Sequence, residues 1–586
     1  MKKSLIVAEL ILFLFWQSVA AQSLPEGNFT GGFWLDGNWV AVNFRLRQEK
    51  ERPSGDADVV FPSNSGNISV RGTNLKIAKS DSANLVFEIP LNNEKIIFRG
   101  QMQGDSITGE FEFGTAKGDF GLSHVAYPSP ESLEKYYGIY RVSPDRFISI
   151  YRAGSDPRTL LYTDYKTGRI GTLWASVRDN EFFSGVGREI SFPVALKVSF
   201  DKDTNGKIKS LSWQSTDEPK MTAQRIELKE ERITFKNGDV TLGGTLILPA
   251  TKGRHPVVIV TPGDFGSNRN QLRMFAHNFV SRGVAALIFD SRGAGESTGV
   301  VNSNSFSDLA NDVLAAVESL KNRADIAPQA IGLFGFSNSA WTVSLTASRS
   351  KDVAFLILQS FIGVSAWKQD IFRALTQLRV DNFPESVIKQ AANFMQLKFE
   401  VARTGKGWDK LQEVMEKSSG ERWLAYTNMS RSLERLRQLY QTSMTYDPVP
   451  ALENLRIPVL AYWGGNDSYV PVEETIGIFK QAMSKAENKD YTIKVFPKGR
   501  HDLVEGDTGS PGISARLKKF PAGFWKMQID WLWRRVKAPK KTVTVYRSVD
   551  GKRPDPNKPY DPDGPPNKSF NPIASACLSS TLCPAM

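Results

Sequence analysis

The sequence predicts a mostly parallel α/β sheet covered by helices and preceded by all-β segments of barrel or sandwich type. Three observations predict it. Residues 27–227 carry short runs in which apolar and polar side chains alternate with period two. From about Ile233 continuous apolar runs alternate with helical stretches, and residues 365–445 form a long insertion without strand-like runs.

The chain has 586 residues, 41% hydrophobic and 23% charged. At ~150 residues per domain this implies three or four domains, and the composition excludes disordered and collagen-like classes. Met1-Lys2-Lys3, an apolar stretch from Leu5 to Trp16 broken only by Glu9, and Ser18-Val19-Ala20-Ala21 together read as an export signal over residues 1–21. A membrane anchor needs about 20 apolar residues, more than this stretch offers. No later segment reaches that length, so an exported, periplasmic or secreted protein without a membrane span is expected. Cys577 and Cys583, the two cysteines, could pair in an oxidising compartment but would close only a terminal loop. His124, His255, His277 and His501 stand far apart in sequence, so no metal or other cofactor is expected. The net charge of +12 is spread along the chain, with no zinc finger, RNA-recognition signature or base-reading helix to suggest nucleic acid.

Residues 25–126 read as a β-barrel-like domain, through runs such as 39–46 and 95–99. A polar break at 127–132 separates them from a second small β domain over 133–228, with runs such as 147–151. Within it, Asp201-Lys202-Asp203-Thr204-Asn205-Gly206 copies the start of an EF-hand loop. Ser212 stands where the bidentate Glu belongs, however, and strand-like runs flank the segment, so it reads as a hairpin turn. Residues 230–536 supply the α/β domain. The runs 257–260, 285–289, 331–334, 354–358 and 459–462 suit strands buried on both faces, and Leu309, Val313, Leu314, Val317 and Leu320 mark one helix face. Trp367, Ile371, Phe372, Leu375 and Leu378 fall at helical spacing in the insertion, which reads as a helical cap that would wall the site. The Pro-rich tail, 537–586, reads as extended or disordered.

Acyl transfer by serine needs the hydroxyl on a sharp strand-to-helix turn, a base, an acid to orient the base, and donors for the oxyanion. The literal G-x-S-x-G match, Gly295-Glu296-Ser297-Thr298-Gly299, lies among loop residues with no following helix. Ser337, in Gly335-Phe336-Ser337-Asn338-Ser339, directly follows a buried strand and precedes a helical run, so it is the expected nucleophile. Ser339 replaces the usual second glycine and adds only a hydroxymethyl group there. With chain order serine, acid, histidine, the base must lie beyond Ser337, and His501 alone does. Asp467 ends a strand before it and is the expected acid. Asp502, adjacent to the histidine in one loop, is poorly placed to reach its neighbour's Nδ1.

These residues resemble the α/β-hydrolase superfamily, particularly exported bacterial carboxylesterase-like members with β domains in front. The resemblance covers about 233–536 and rests on Asp290-Ser291-Arg292-Gly293-Ala294-Gly295, the elbow at Ser337, Gly464-Gly465-Asn466-Asp467 and Gly499-Arg500-His501. It implies an oxyanion hole from the backbone N–H of Asn338 and a second amide in Pro262-Gly263-Asp264-Phe265-Gly266, with Asp264 the candidate. Family members commonly carry His-Gly-x-Gly there, so Pro262 and Phe265 alter the loop. The expected activity is hydrolysis of a small-molecule carboxylic ester. A prolyl-oligopeptidase-like peptidase is the alternative, although a seven-bladed propeller needs roughly 280 residues and only residues 27–227 precede the hydrolase region. A glycan- or lipid-binding protein with a vestigial hydrolase domain is the other.

Overall fold

The computed structural model describes residues 26–49, 52–61, 68–81, 84–91, 94–152, 156–263, 267–300, 305–430 and 432–536, with short strands at Tyr546–Ser548 and Phe570–Pro572. The export signal, Asp264, both cysteines and nearly all of the Pro-rich tail lie outside the described residues.

The alternating runs at the front become nine antiparallel strands between Gly27 and Val125, ordered 68–74, 52–61, 38–49, 27–35, 116–125, 106–113, 94–103, 84–91 and 76–81. Among the described residues the ladder is not closed, and its first and last strands are consecutive in the chain, joined through Leu75. Period-two alternation puts Phe29, Phe33, Phe44, Phe87, Phe98, Phe111 and Phe120 into one core. Edge-to-face contacts such as Phe33–Phe98 at 5.8 Å and Phe98–Phe120 at 4.9 Å organise it.

Residues 138–225 form a closed eight-stranded barrel, Gly138–Ser143 pairing with both Arg146–Arg152 and Met221–Arg225. The EF-hand-like segment joins Leu196–Lys202 to Ile208–Ser215 as a tight turn. Asp203 Oδ1 accepts the N–H groups of Asn205 and Lys207, each at 2.9 Å, so the carboxylate serves the turn. By contacts the chain divides into two compact units that do not follow the sequential boundaries at 126 and 133. One holds the described residues up to Pro128 with Thr172–Lys197 and Gly512–Arg516; the other holds Ser129–Gly171, Val198–Pro511 and the residues from Leu517. The first unit gathers its distant segments through bonds such as Ala126 N–H to Ala175 O at 3.0 Å and the Arg178–Asp105 ion pair at 2.8 Å.

In the second unit an eight-stranded sheet comprises β1 (Lys229–Asn237), β2 (Val240–Leu248), β3 (His255–Val260), β4 (Ala285–Phe289), β5 (Ile326–Phe336), β6 (Phe355–Gln359), β7 (Val459–Gly464) and β8 (Tyr491–Phe496). Their order is β1-β2-β4-β3-β5-β6-β7-β8, antiparallel at β1–β2 and β2–β4 and parallel from there on. Every residue of β3, β4, β6 and β7 is buried, which is why these strands read as unbroken apolar runs. On one face Phe306–Lys321, Asn338–Arg349 and Val472–Lys485 place Val313, Val317, Val343 and Phe479 in a shared core with Ile259, Leu333 and Leu356. Each such side chain contributes about 1.5–3 kcal/mol by burial. On the other face Arg273–Val280 and Phe524–Arg535 meet through Phe275 and Trp525, 5.9 Å apart.

The insertion between β6 and β7 is helical: Ala366–Val380, Glu385–Thr404, Trp408–Lys417, and Leu433–Leu439 with its π-helical extension. It has its own core of Leu378, Ile388, Phe394, Leu411, Trp423 and Leu436. A buried ion pair, Lys398 Nζ to Asp370 at 2.9 Å, also ties it to the carbonyl of Thr427 at 2.7 Å. Removing one partner of such a pair costs about 3–5 kcal/mol, because the other charge is left buried.

Candidate active site

The ends of β5, β7 and β8 converge on three side chains. Ser337 follows β5 directly and begins the helix Asn338–Arg349. Its backbone has φ 55° and ψ −122°, a conformation that L-residues seldom adopt and that surroundings must impose. Two features impose it. A Cβ on Gly335 would lie 2.7 Å from Ala340 Cα, so only glycine lets the helix pass so close to the strand. Ser339, at the position of the usual second glycine, accepts Phe336 N–H at 2.8 Å and donates to Phe336 O at 2.9 Å, so its hydroxyl closes the turn.

His501 lies in the turn after β8, and its Nε2 is 2.9 Å from Ser337 Oγ. Its Nδ1 is 2.9 Å from Asp467 Oδ2, and Asp467 follows β7. A carboxylate can only accept, so Nδ1 carries the proton and Nε2 accepts from the serine hydroxyl. The Asp467 carboxylate is wholly buried, and its other oxygen accepts the N–H groups of Tyr469 at 2.8 Å and Val470 at 3.0 Å. Those bonds compensate its loss of water and fix its plane. The imidazole lies between two rings, with Tyr469 stacked at 4.7 Å and 22° and Phe336 tilted at 5.1 Å.

Loop packing sets the height of the histidine. A Cβ on Gly464 would lie 2.2 Å from Gly499 O, so the histidine loop rests on the bare end of β7. Asn466 N–H donates to Gly499 O at 2.8 Å, and Asn466 Nδ2 donates to Gly506 O at 2.7 Å. The insertion reaches the acid's loop through Gln369 Nε2, which donates to Tyr469 O at 3.0 Å.

The other residues singled out by sequence stand elsewhere. Ser297 is buried, accepts Gly243 N–H at 3.0 Å and donates to Asp290 O at 2.8 Å, so it clasps a loop. Asp502 accepts Val504 N–H at 3.1 Å, while the imidazole Nδ1 is bonded to Asp467. Asn338, as the first residue of its helix, has an N–H without a carbonyl partner one turn back. Pro262, Gly263, Asn338 and Phe306 line a cavity of about 20 Å³. Groups of three or more His, Cys, Asp or Glu side chains able to hold a metal are absent among the described residues. Tyr469 and Ser360 were missed by sequence reasoning. Tyr469 could have been suspected as the residue two after the acid, whereas nothing in the sequence marks Ser360.

Strand order and the placement of these three residues define the class: the region that begins at Lys229 has the α/β-hydrolase fold, with a serine, a histidine and an aspartate at the ends of its strands. Within it, residues 237–501 match the family described as X-Pro dipeptidyl-peptidase (S15 family). Curated relatives include the quorum-quenching protein AidA of Acinetobacter baumannii, 29% identical over 22% of this chain and 42% of its own length. A putative carboxymethylenebutenolidase of Synechocystis is 25% identical over 21% of this chain and 55% of its own. The chain thus spans about half the length of these curated relatives. Among solved structures, the α/β hydrolase GrgF from Penicillium is 19% identical over 53% of this chain and all of its own, with a TM-score of 0.35. Acetyl xylan esterase 1 from Thermoanaerobacterium is 14% identical over 58% of this chain and 88% of its own, with a TM-score of 0.33.

Proposed function

We propose that the protein is an exported serine hydrolase that cleaves carboxylic esters through an acyl-enzyme. The observation that carries this reading is the unbroken line of hydrogen bonds from Ser337 through His501 to Asp467, with the serine on a strained strand-to-helix turn. Ser337 Oγ attacks the ester carbonyl carbon as His501 Nε2 takes its proton. The oxyanion develops beside Asn338 N–H, with the amide of Asp264 proposed as second donor. Collapse breaks the bond to the alkoxy oxygen, which receives the proton from the imidazolium and leaves as alcohol. Water, deprotonated by Nε2, then attacks the acyl carbon and releases the acid. Asp467 keeps the imidazole in its productive tautomer and offsets its positive charge. The insertion 365–445 acts as a cap whose apolar side chains select the acyl or alcohol part.

The match to an X-Pro dipeptidyl-peptidase family favours a second reading, an amide-cleaving peptidase with the same residues in the same roles. One experiment separates them. The protein is treated with a fluorophosphonate, then assayed with p-nitrophenyl esters and X-Pro p-nitroanilides. The expected result is an adduct on the peptide containing Ser337 and turnover of esters over anilides. Faster turnover of the anilides supports the peptidase. An adduct on Ser297 overturns both readings, and no adduct with no turnover supports a binding protein instead.

A further inference from the structure

The end of β6 touches all three elements that carry the site. Gln359 O accepts the N–H of Ser337 at 2.9 Å, holding the elbow. Ser360 N–H donates to Tyr462 O at 2.8 Å, on the strand that leads to Asp467. Ser360 Oγ donates to His501 O at 2.7 Å, on the histidine loop. Ser360 is fully buried and has φ 48°, in the left-handed region. A non-glycine residue there costs roughly 1–2 kcal/mol and persists only where its surroundings over-determine it.

We propose that Ser360 is a positioning residue for His501: held in a left-handed conformation at the end of β6, it uses its hydroxyl to tether the histidine's carbonyl and so sets the height of the imidazole between Asp467 and Ser337. The proposal rests on the ester-hydrolase reading for its kinetic consequence but not for the tether itself. Glycine would satisfy the backbone at this position without strain, yet would leave His501 O without this donor. Serine meets both needs, since a buried hydroxyl must find a partner and the carbonyl supplies it. The imidazole must reach two partners at 2.9 Å at once, so a small drift of its backbone breaks one of them. Misplacement by about 1 Å costs on the order of 10²-fold in rate.

The test uses Ser360→Ala, Ser360→Gly and Ser360→Cys in the full chain, with kcat and KM on a p-nitrophenyl ester. A second readout is the downfield proton NMR signal of the Asp467–His501 hydrogen bond, assigned by its loss in His501→Ala. Ser360→Ala and Ser360→Gly are expected to lower kcat about 10- to 100-fold at KM within about two-fold, and to broaden or shift that signal. Ser360→Cys, of similar shape and with a weaker donor, should fall between them and wild type. In the His501→Ala background Ser360→Ala should have no further effect, because the tether acts through the imidazole. The proposal is overturned if Ser360→Ala keeps kcat within two-fold with an unmoved signal. It is equally overturned if Ser360→Gly alone matches wild type, or if the loss is undiminished in the His501→Ala background. Should wild type cleave no ester, the functional reading fails alone, and the NMR signal in Ser360→Ala and Ser360→Cys still decides the tether. Should Ser360→Ala fail to fold, Ser360→Cys carries the same comparison.

Discussion

The second compact unit contains two serine–histidine pairs. Ser337 Oγ lies 2.9 Å from His501 Nε2, and Ser149 Oγ lies 2.6 Å from His277 Nδ1. Distance alone would favour the second pair as a nucleophile and its base, but everything around it argues otherwise. His277 is fully buried, and its other nitrogen has no hydrogen-bond partner among the described residues. Burial, with the Arg273 guanidinium adding to it, pushes its pKa down from 6.5 to about 3. An imidazole held so far below its ordinary pKa is too weak a base to take a proton from serine near neutral pH. His501 instead has a buried carboxylate on Nδ1 and an edge that remains partly exposed. A serine beside a histidine is therefore a site only when a charge partner and access come with it.

The largest effect expected from this contrast is on turnover. Asp467→Asn should lower kcat on an activated ester on the order of 10⁴-fold, because the amide can donate to Nδ1 and so stabilise the wrong tautomer. His501→Ala should cost at least as much, and the double variant little more than His501→Ala alone, since the residues act as one unit. Steady-state kinetics on the three variants is the measurement. An Asp467→Asn enzyme within about ten-fold of wild type would remove the feature that separates the two pairs.

How much of this was legible in sequence follows from what each feature depends on. Strands β3 to β7 and the elbow at Ser337 were readable because burial on both faces demands unbroken apolar runs, and the residues bounding the turn are local. The hairpin β1–β2 was not recognised, although Asn237-Gly238 marks its turn, because its alternating pattern continues the rhythm of the front domains. The grouping of Thr172–Lys197 with the front unit was invisible, since it depends on bonds between distant segments. Ser360, Tyr469 and His277 were missed for the same reason: a lone residue acquires its role from a neighbour more than 30 positions away.

The next effect is smaller and depends on pH. His277 has a folded-state pKa of about 3 and an ordinary value of 6.5, so between those values the unfolded chain binds a proton that the folded chain does not. Stability is then fully present above about 6.5 and falls by about 1.4 kcal/mol per pH unit as the pH drops toward 3. At pH 5 the loss reaches about 2 kcal/mol. Thermal midpoints of wild type and His277→Gln from pH 7.5 to 5 check this. Wild type should lose more of its midpoint than the variant over that range, and parallel curves would mean that His277 is not the group that titrates.

The smallest expected effect tests the buried pair from its other side. Ser149→Ala removes the partner of His277 Nδ1 and leaves both ring nitrogens of a buried imidazole unsatisfied, at a cost of about 1–3 kcal/mol. The nearby bond from Tyr165 OH to Met274 O, 2.6 Å, remains to hold the helix Arg273–Val280, so the fold should survive. The thermal midpoint should fall by a few degrees while kcat and KM for the ester stay within two-fold of wild type. Ser337→Ala should do the reverse, abolishing turnover and fluorophosphonate labelling with little change in midpoint, because Ala can occupy the same turn and the bonds of Ser339 still close it. A Ser149→Ala enzyme with lowered kcat at an unchanged midpoint would break the comparison, since the buried pair would then bear on the chemistry as well as on the packing.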